Sequence, residues 1–149
     1  MGDRSNIVIR QEKGKPPLVI YGHWLGAGHI EAVTLALGRG VRFDDPGYLS
    51  RIIFCHAIKA CGGTLDDETG FGLSVGYLCD NEYPVLYVDI PKRQVSIRLA
   101  VNRPLHHAGK WVEKEWKPWR TIGFQQIMSL PLAWEEWYTE RYPDEVKEK

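Results

Sequence analysis

The chain is short of most features that identify a function outright. It has no excess of charge: Lys plus Arg and Asp plus Glu number 19 each. A general nucleic-acid binder carries a basic excess, so the balance argues against that class, although local basic patches remain open to it. There are only three cysteines, Cys55, Cys61 and Cys79, with no CxxC spacing. An odd count without framework spacing excludes a disulfide scaffold, and with no signal peptide it implies reduced thiols in a cytoplasmic setting. No apolar run approaches the roughly 18 residues that span a bilayer, so no membrane partner is expected. Gly26-x-Gly28 precedes a helical pattern but lacks the third glycine of a dinucleotide fingerprint. His106 and His107 are adjacent, so in a regular element they point apart, unlike the i, i+4 pair of a zinc helix. His23, His29 and His56 fall in separate elements, and no metal or cofactor is expected.

What is present is a clear fold pattern. Residues 83–101 read as a β-hairpin. Val95, Ile97, Leu99 and Val101 alternate with Gln94, Ser96, Arg98 and Ala100, while Val85 to Ile90 is continuously apolar. Pro91-Lys92-Arg93 is the turn. Upstream, residues 6–11 and 18–24 form two strands around Lys13-Gly14-Lys15-Pro16-Pro17, close enough to pair as a hairpin. Ile30, Val33, Thr34 and Leu37 mark a helix that ends near Gly38. Asp45-Pro46 opens a second helix, with Asp45 as its N-cap; Leu49, Ile52, Ile53 and His56 share its apolar stripe, and His56 is expected to be a core histidine. Phe71, Leu73, Val75 and Tyr77 alternate with Gly72, Ser74 and Gly76 as one strand.

The order ββααβββ shows no strand–helix–strand alternation. It predicts an α+β fold, an antiparallel sheet of about five strands with helices on one face. At 149 residues the chain suits a single domain, 1–149. Residues 102–149 read as a Trp-rich C-terminal extension with short helices at 123–130 and 134–142. Phe124, Ile127 and Met128 point inward in the first of these, and 102–120 is an excursion from the domain. Five of the six tryptophans follow residue 110. They suit a lid on the core, a subunit interface or a stacking surface for bases; Lys110, Lys114, Lys117 and Arg120 favour the last, and Glu113 and Glu115 oppose it.

Several motifs occur in a fixed order. They are Met1-Gly2-Asp3-Arg4-Ser5-Asn6-Ile7, Tyr21-x-His23-Trp24, Phe43-Asp44-Asp45-Pro46-x-Tyr48-Leu49-x-Arg51-Ile52-Ile53-Phe54, Glu68-Thr69-Gly70-Phe71-Gly72-Leu73-Ser74 and Asp80-Asn81-Glu82-Tyr83-Pro84-Val85. Together they resemble a group of small proteins of bacteria, prophages and phages that begin Met-Gly-Asp-Arg-Ser/Ala-Asn. The likeness covers residues 1 to about 100 and the short helix near Phe124. It implies a bacterial or phage origin and a location in the bacterial cytoplasm. It carries no activity.

If the first two strands pair tightly, the head of the first meets the exit of the second. Arg4 can then hold a carboxylate or phosphate, Asn6 can read an amide or base edge, and Trp24 can stack, with Asp3, His23, Glu68 and Thr69 beside them. Alternatively, Asp3 and Arg4 pair with each other and cap the sheet, while Trp24 is a core residue. The leading expectation is a small cytoplasmic binding protein, a homo-oligomer, that sequesters a polar, nucleotide-like signalling ligand as phage counter-defence. One alternative is a hydrolase or nucleotide-processing enzyme using Asp3, His23 and Glu68, although no nucleophile elbow is present. Another is a structural or protein-interaction role in a virion, driven by the tryptophans.

Overall fold

The computed structural model describes residues 3–61, 70–101, 105 and 107–129. The hairpin at residues 83–101 stands as expected. Strands β5 (Val85–Asp89) and β6 (Gln94–Ala100) pair antiparallel, with Leu86 opposite Ile97 and Val88 opposite Val95. Asp89 Oδ1 accepts from the Lys92 N–H at 3.2 Å and steadies the turn. The first hairpin also forms. Strands β1 (Ser5–Arg10) and β2 (Leu18–Gly22) pair antiparallel with Ile7 opposite Ile20.

These hairpins meet in a way the sequence did not suggest. β1 runs parallel to β5, with Ile7 beside Leu86 and Ile9 beside Val88. The sheet is therefore mixed, not antiparallel throughout. The reason is burial: β1 and β5 are the two most completely buried strands, and placing them side by side puts both in the sheet centre, where each face is covered. The connection between them carries helices α1 (Gly28–Gly38) and α2 (Pro46–Ala60), as parallel pairing requires.

The strand count is also higher than expected. Among the described residues the main sheet has six strands in the order β3-β2-β1-β5-β6-β8, and β4 and β7 form a second sheet of two. The strand expected to run through Tyr77 ends at Val75, as β3 (Phe71–Val75). Gly76 adopts φ of +68°, a conformation that glycine takes without strain, and its N–H donates to Pro17 O at 2.7 Å. The chain then leaves the main sheet as β4 (Tyr77–Asn81), which pairs with β7 (His107–Lys110).

The described part of 102–120, residues 105 and 107–120, is not an excursion. Glu113–Glu115 make one 3₁₀ turn, and β8 (Trp116–Gly123) pairs with β6 as an edge strand of the main sheet. Helix α3 (Phe124–Ser129) follows. Its Phe124 and Ile127 are buried, but Met128 is exposed, contrary to the inward placement expected. The helical turn expected at 134–142 lies outside the described residues.

The main sheet separates two apolar layers. Ile7, Ile9, Ile20, Leu86 and Val88 face the helices, where Val33, Leu37, Leu49, Ile53, Phe124 and Ile127 cover them. The helices thus share one face, as expected. Val8, Val19, Val85 and Tyr87 point the other way, onto Leu78, Leu105, Trp111 and Trp116. Trp111 stacks between Tyr87 and Trp116 at ring separations of 5.7 and 5.8 Å. Of the three readings of the aromatics, a lid that is part of the core describes Trp111 and Trp116.

Candidate functional site

The β1–β2 register sets Ser5 opposite Gly22, so Arg4 and His23 flank the same end of the sheet. The Gly26 N–H donates to Asp3 O at 2.8 Å and ties the chain start to the loop after β2. Gly26 takes φ of +53° there, and an added Cβ would sit 3.3 Å from Asp3 Cβ. Tyr21 Oη lies 3.0 Å from His23 Nδ1, and Trp24 meets the His23 ring edge-on at 4.7 Å. Trp24 is 58% exposed. It is not a core residue, and its ring is open to a stacking partner.

Two of the expected ligand groups are already engaged. Arg4 lies 3.0 Å from Asp80 Oδ2 and 3.5 Å from Glu82 Oε1, so two carboxylates from β4 and its exit balance its charge. Asn6 is fully buried. Its Nδ2 donates to Cys79 O at 3.0 Å, Asp80 O at 3.3 Å and Asn81 Oδ1 at 3.1 Å. Asn81 Nδ2 in turn donates to Tyr83 O and Leu105 O. Asn6 therefore fastens the small sheet to the large one. Asp3 accepts from the Tyr83 hydroxyl at 3.3 Å, so Asp3 and His23 have separate partners. Glu68 and Thr69 lie outside the described residues.

A second constellation was not anticipated. On α2, Tyr48, Arg51, Ile52, Cys55, His56 and Lys59 fall at i, i+3, i+4, i+7, i+8 and i+11, one continuous helical face. Helix α1 ends beside it, and the loop that follows contributes Arg39, Val41 and Arg42. These nine residues line a cleft of about 460 Å³. Four are basic, three arginines and a lysine, one is a histidine, and no carboxylate is among these nine. The described ion pairs use Arg4, Arg10, Arg93 and Arg98, so none of the four cleft cations takes part in one. Two described acids of the loop before α2 are committed elsewhere. Asp44 holds Arg93 at 2.6 Å, and Asp45 accepts from the Tyr48 N–H at 3.2 Å as the expected cap of α2.

Two of the cleft arginines, Arg42 and Arg51, are held in place. The Arg42 and Arg51 guanidinium carbons lie 4.4 and 4.5 Å from the Tyr48 ring centre, within cation–π range. Arg42 has φ of +66°, a left-handed conformation unfavourable for a residue with a Cβ. His56 is half-buried and lines the cleft rather than the core. Burial lowers its pKa first, and the positive charges of Lys59 and Arg39 lower it further. Its neutral imidazole is thus favoured while the cleft is empty of anions.

The true core histidine is His29. It is fully buried, and its Nε2 lies 2.9 Å from Pro84 O. Burial depresses its pKa from 6.5 to about 4. The unfolded chain therefore binds a proton that the folded chain refuses between those values. Stability is complete above about pH 6.5 and falls as pH drops towards 4, by roughly 3 kcal/mol in total. In urea titrations across this range, His29→Gln is expected to show a shallower acid loss than the wild type. An unchanged slope would mean that His29 takes up its proton as readily folded as unfolded.

Among the described residues, no three His, Cys, Asp or Glu side chains gather into a group that could hold a metal. No helix is long and apolar enough to cross a membrane among the described residues. Comparison of the chain with family models, with curated proteins and with solved structures gives no match.

Proposed function

We propose that this is a small binding protein for a phosphorylated, nucleotide-like anion, which it holds in the cleft between the end of α1 and α2. The observation that supports the reading is the set of four cations, Arg39, Arg42, Arg51 and Lys59, lining one cleft with no carboxylate among its described lining residues. Like charges so close repel one another and weaken the empty protein, whereas a polyanion relieves the repulsion on binding. Arg51 and Arg42 can each fork onto phosphate oxygens, and their rest against Tyr48 reduces the entropy lost on binding. Arg4 is a weaker candidate for the same task, because Asp80 and Glu82 already match its charge. The exposed Trp24 beside His23 remains a surface on which a base can stack. Sequestration of a phosphorylated signalling ligand in a bacterial or phage setting suits a module of this size.

The test is a thermal-shift series with inorganic pyrophosphate, inorganic triphosphate and nucleoside mono-, di- and triphosphates. Stabilisation should rise with the number of phosphates and shrink with added salt. The reading fails if none of these anions raises the melting temperature at low salt.

A further inference from the structure

We propose that the outer edge of β3 docks a second copy of this chain, the two β3 strands pairing antiparallel about a twofold axis so that the two main sheets become one. The two edges of the sheet are built differently. β8 carries Lys117, Pro118 and Arg120, and its register with β6 shifts between Ile97 and Arg98. Charges, proline and irregular register are the means by which an edge strand discourages further pairing. β3 has none of them. Its sequence is Phe71-Gly72-Leu73-Ser74-Val75, and it pairs only with β2 among the described strands.

Leu73 is 56% exposed and Val75 is 70% exposed. Leu73 lies opposite Ile20 and Val75 opposite Leu18, so both stand on the helix side of the sheet. There Leu18, Phe54 and Leu73 line a shallow groove of about 210 Å³ between β3 and α2. Trp24 packs over Gly70 at one end of the strand, and Tyr77, 50% exposed, follows the other end.

The occupant is a second copy because the edge is complementary to itself. Read in either direction, β3 alternates large apolar and small residues. An antiparallel copy centred on Leu73 therefore sets Leu73 against its own equivalent, Phe71 against Val75 and Gly72 against Ser74. No like charges meet across the seam, and a chain of zero net charge has little long-range self-repulsion. The same reversal brings Trp24 of each copy towards Tyr77 of the other. Five residues of backbone pairing fall short of the roughly 1,200 Å² that a stable interface buries, and these two aromatic pairs together with the groove add apolar area where it is needed.

Sedimentation of the full chain tests this. The wild type is expected at twice the chain mass, and Leu73→Lys/Val75→Lys at the chain mass, still folded by circular dichroism because both side chains are exposed in one copy. Amide hydrogen exchange gives a second reading on the wild type: protection of β3 should fall on dilution. A wild type at the chain mass overturns the proposal. So does a dimer that keeps its mass in the lysine variant, or β3 protection that ignores concentration, which would mean that the chain's own residues cover the edge.

Discussion

Trp116→Ala is expected to cost about 3–5 kcal/mol of folding stability, the range for truncating a large buried aromatic. The residue is 1% exposed and begins β8. Its ring stacks on Trp111, which stacks on Tyr87. The truncation opens a cavity between the two sheets and removes the outer member of that stack. It also loosens the pairing of Ala100 with Trp116, where β8 joins β6. For a domain of this size each kcal/mol lowers the melting temperature by roughly 2–4 °C, so a fall of about 10 °C is expected. Trp24→Ala serves as the control. Its side chain is mostly exposed, and the loss should stay within about 0.5 kcal/mol. If both variants unfold alike, the residues around Trp116 are an ornament on the domain and not part of its core.

Arg51→Ala is expected to weaken binding of inorganic triphosphate by ten- to a hundredfold. A charge-assisted hydrogen bond contributes about 1.5–3 kcal/mol, and each 1.4 kcal/mol is a factor of ten. The ligand-free variant should be no less stable than the wild type, because one of four crowded cations has gone. Loss of affinity without loss of stability is the mark of a charge kept for a ligand, not for the fold. Tyr48→Ala separates positioning from charge. It removes no cation, yet it frees Arg42 and Arg51 from the ring that both now rest against. A weakening of several-fold is expected, with the salt dependence unchanged because the number of charges is the same.

The fold was legible where its determinants are local. The Asp45-Pro46 helix start, the turn before Gln94 and the β1–β2 hairpin are all written in adjacent residues. The parallel pairing of β1 with β5 was not, because strands so distant in the chain leave no mark of which neighbour each will take. β8 was missed for a different reason. Its register shift and Pro118 break the alternation by which a strand is recognised. Gly76 fits the alternation of one continuous strand over 71–77, although it is the hinge between the two sheets.

The candidate sites divide in the same way. The nearness of Arg4 to His23 follows from one hairpin register and could be read directly. The acids that neutralise Arg4 arrive on β4 and its exit, and the place of β4 depends on β7. The cleft on α2 is half visible in the sequence: Tyr48, Arg51, Cys55 and Lys59 keep helical spacing beside the apolar stripe of Leu49, Ile52, Ile53 and His56. Arg39 and Arg42 join them only because α1 packs against α2.

The account stands or falls on where an anion binds. Calorimetric titration of inorganic triphosphate into the wild type, Arg42→Ala/Arg51→Ala and Arg4→Ala at low salt decides it. Saturable binding that the double variant loses and Arg4→Ala retains is the expected result. Binding that Arg4→Ala loses and the double variant keeps would move the site to the head of β1 and contradict the reading given to the cleft.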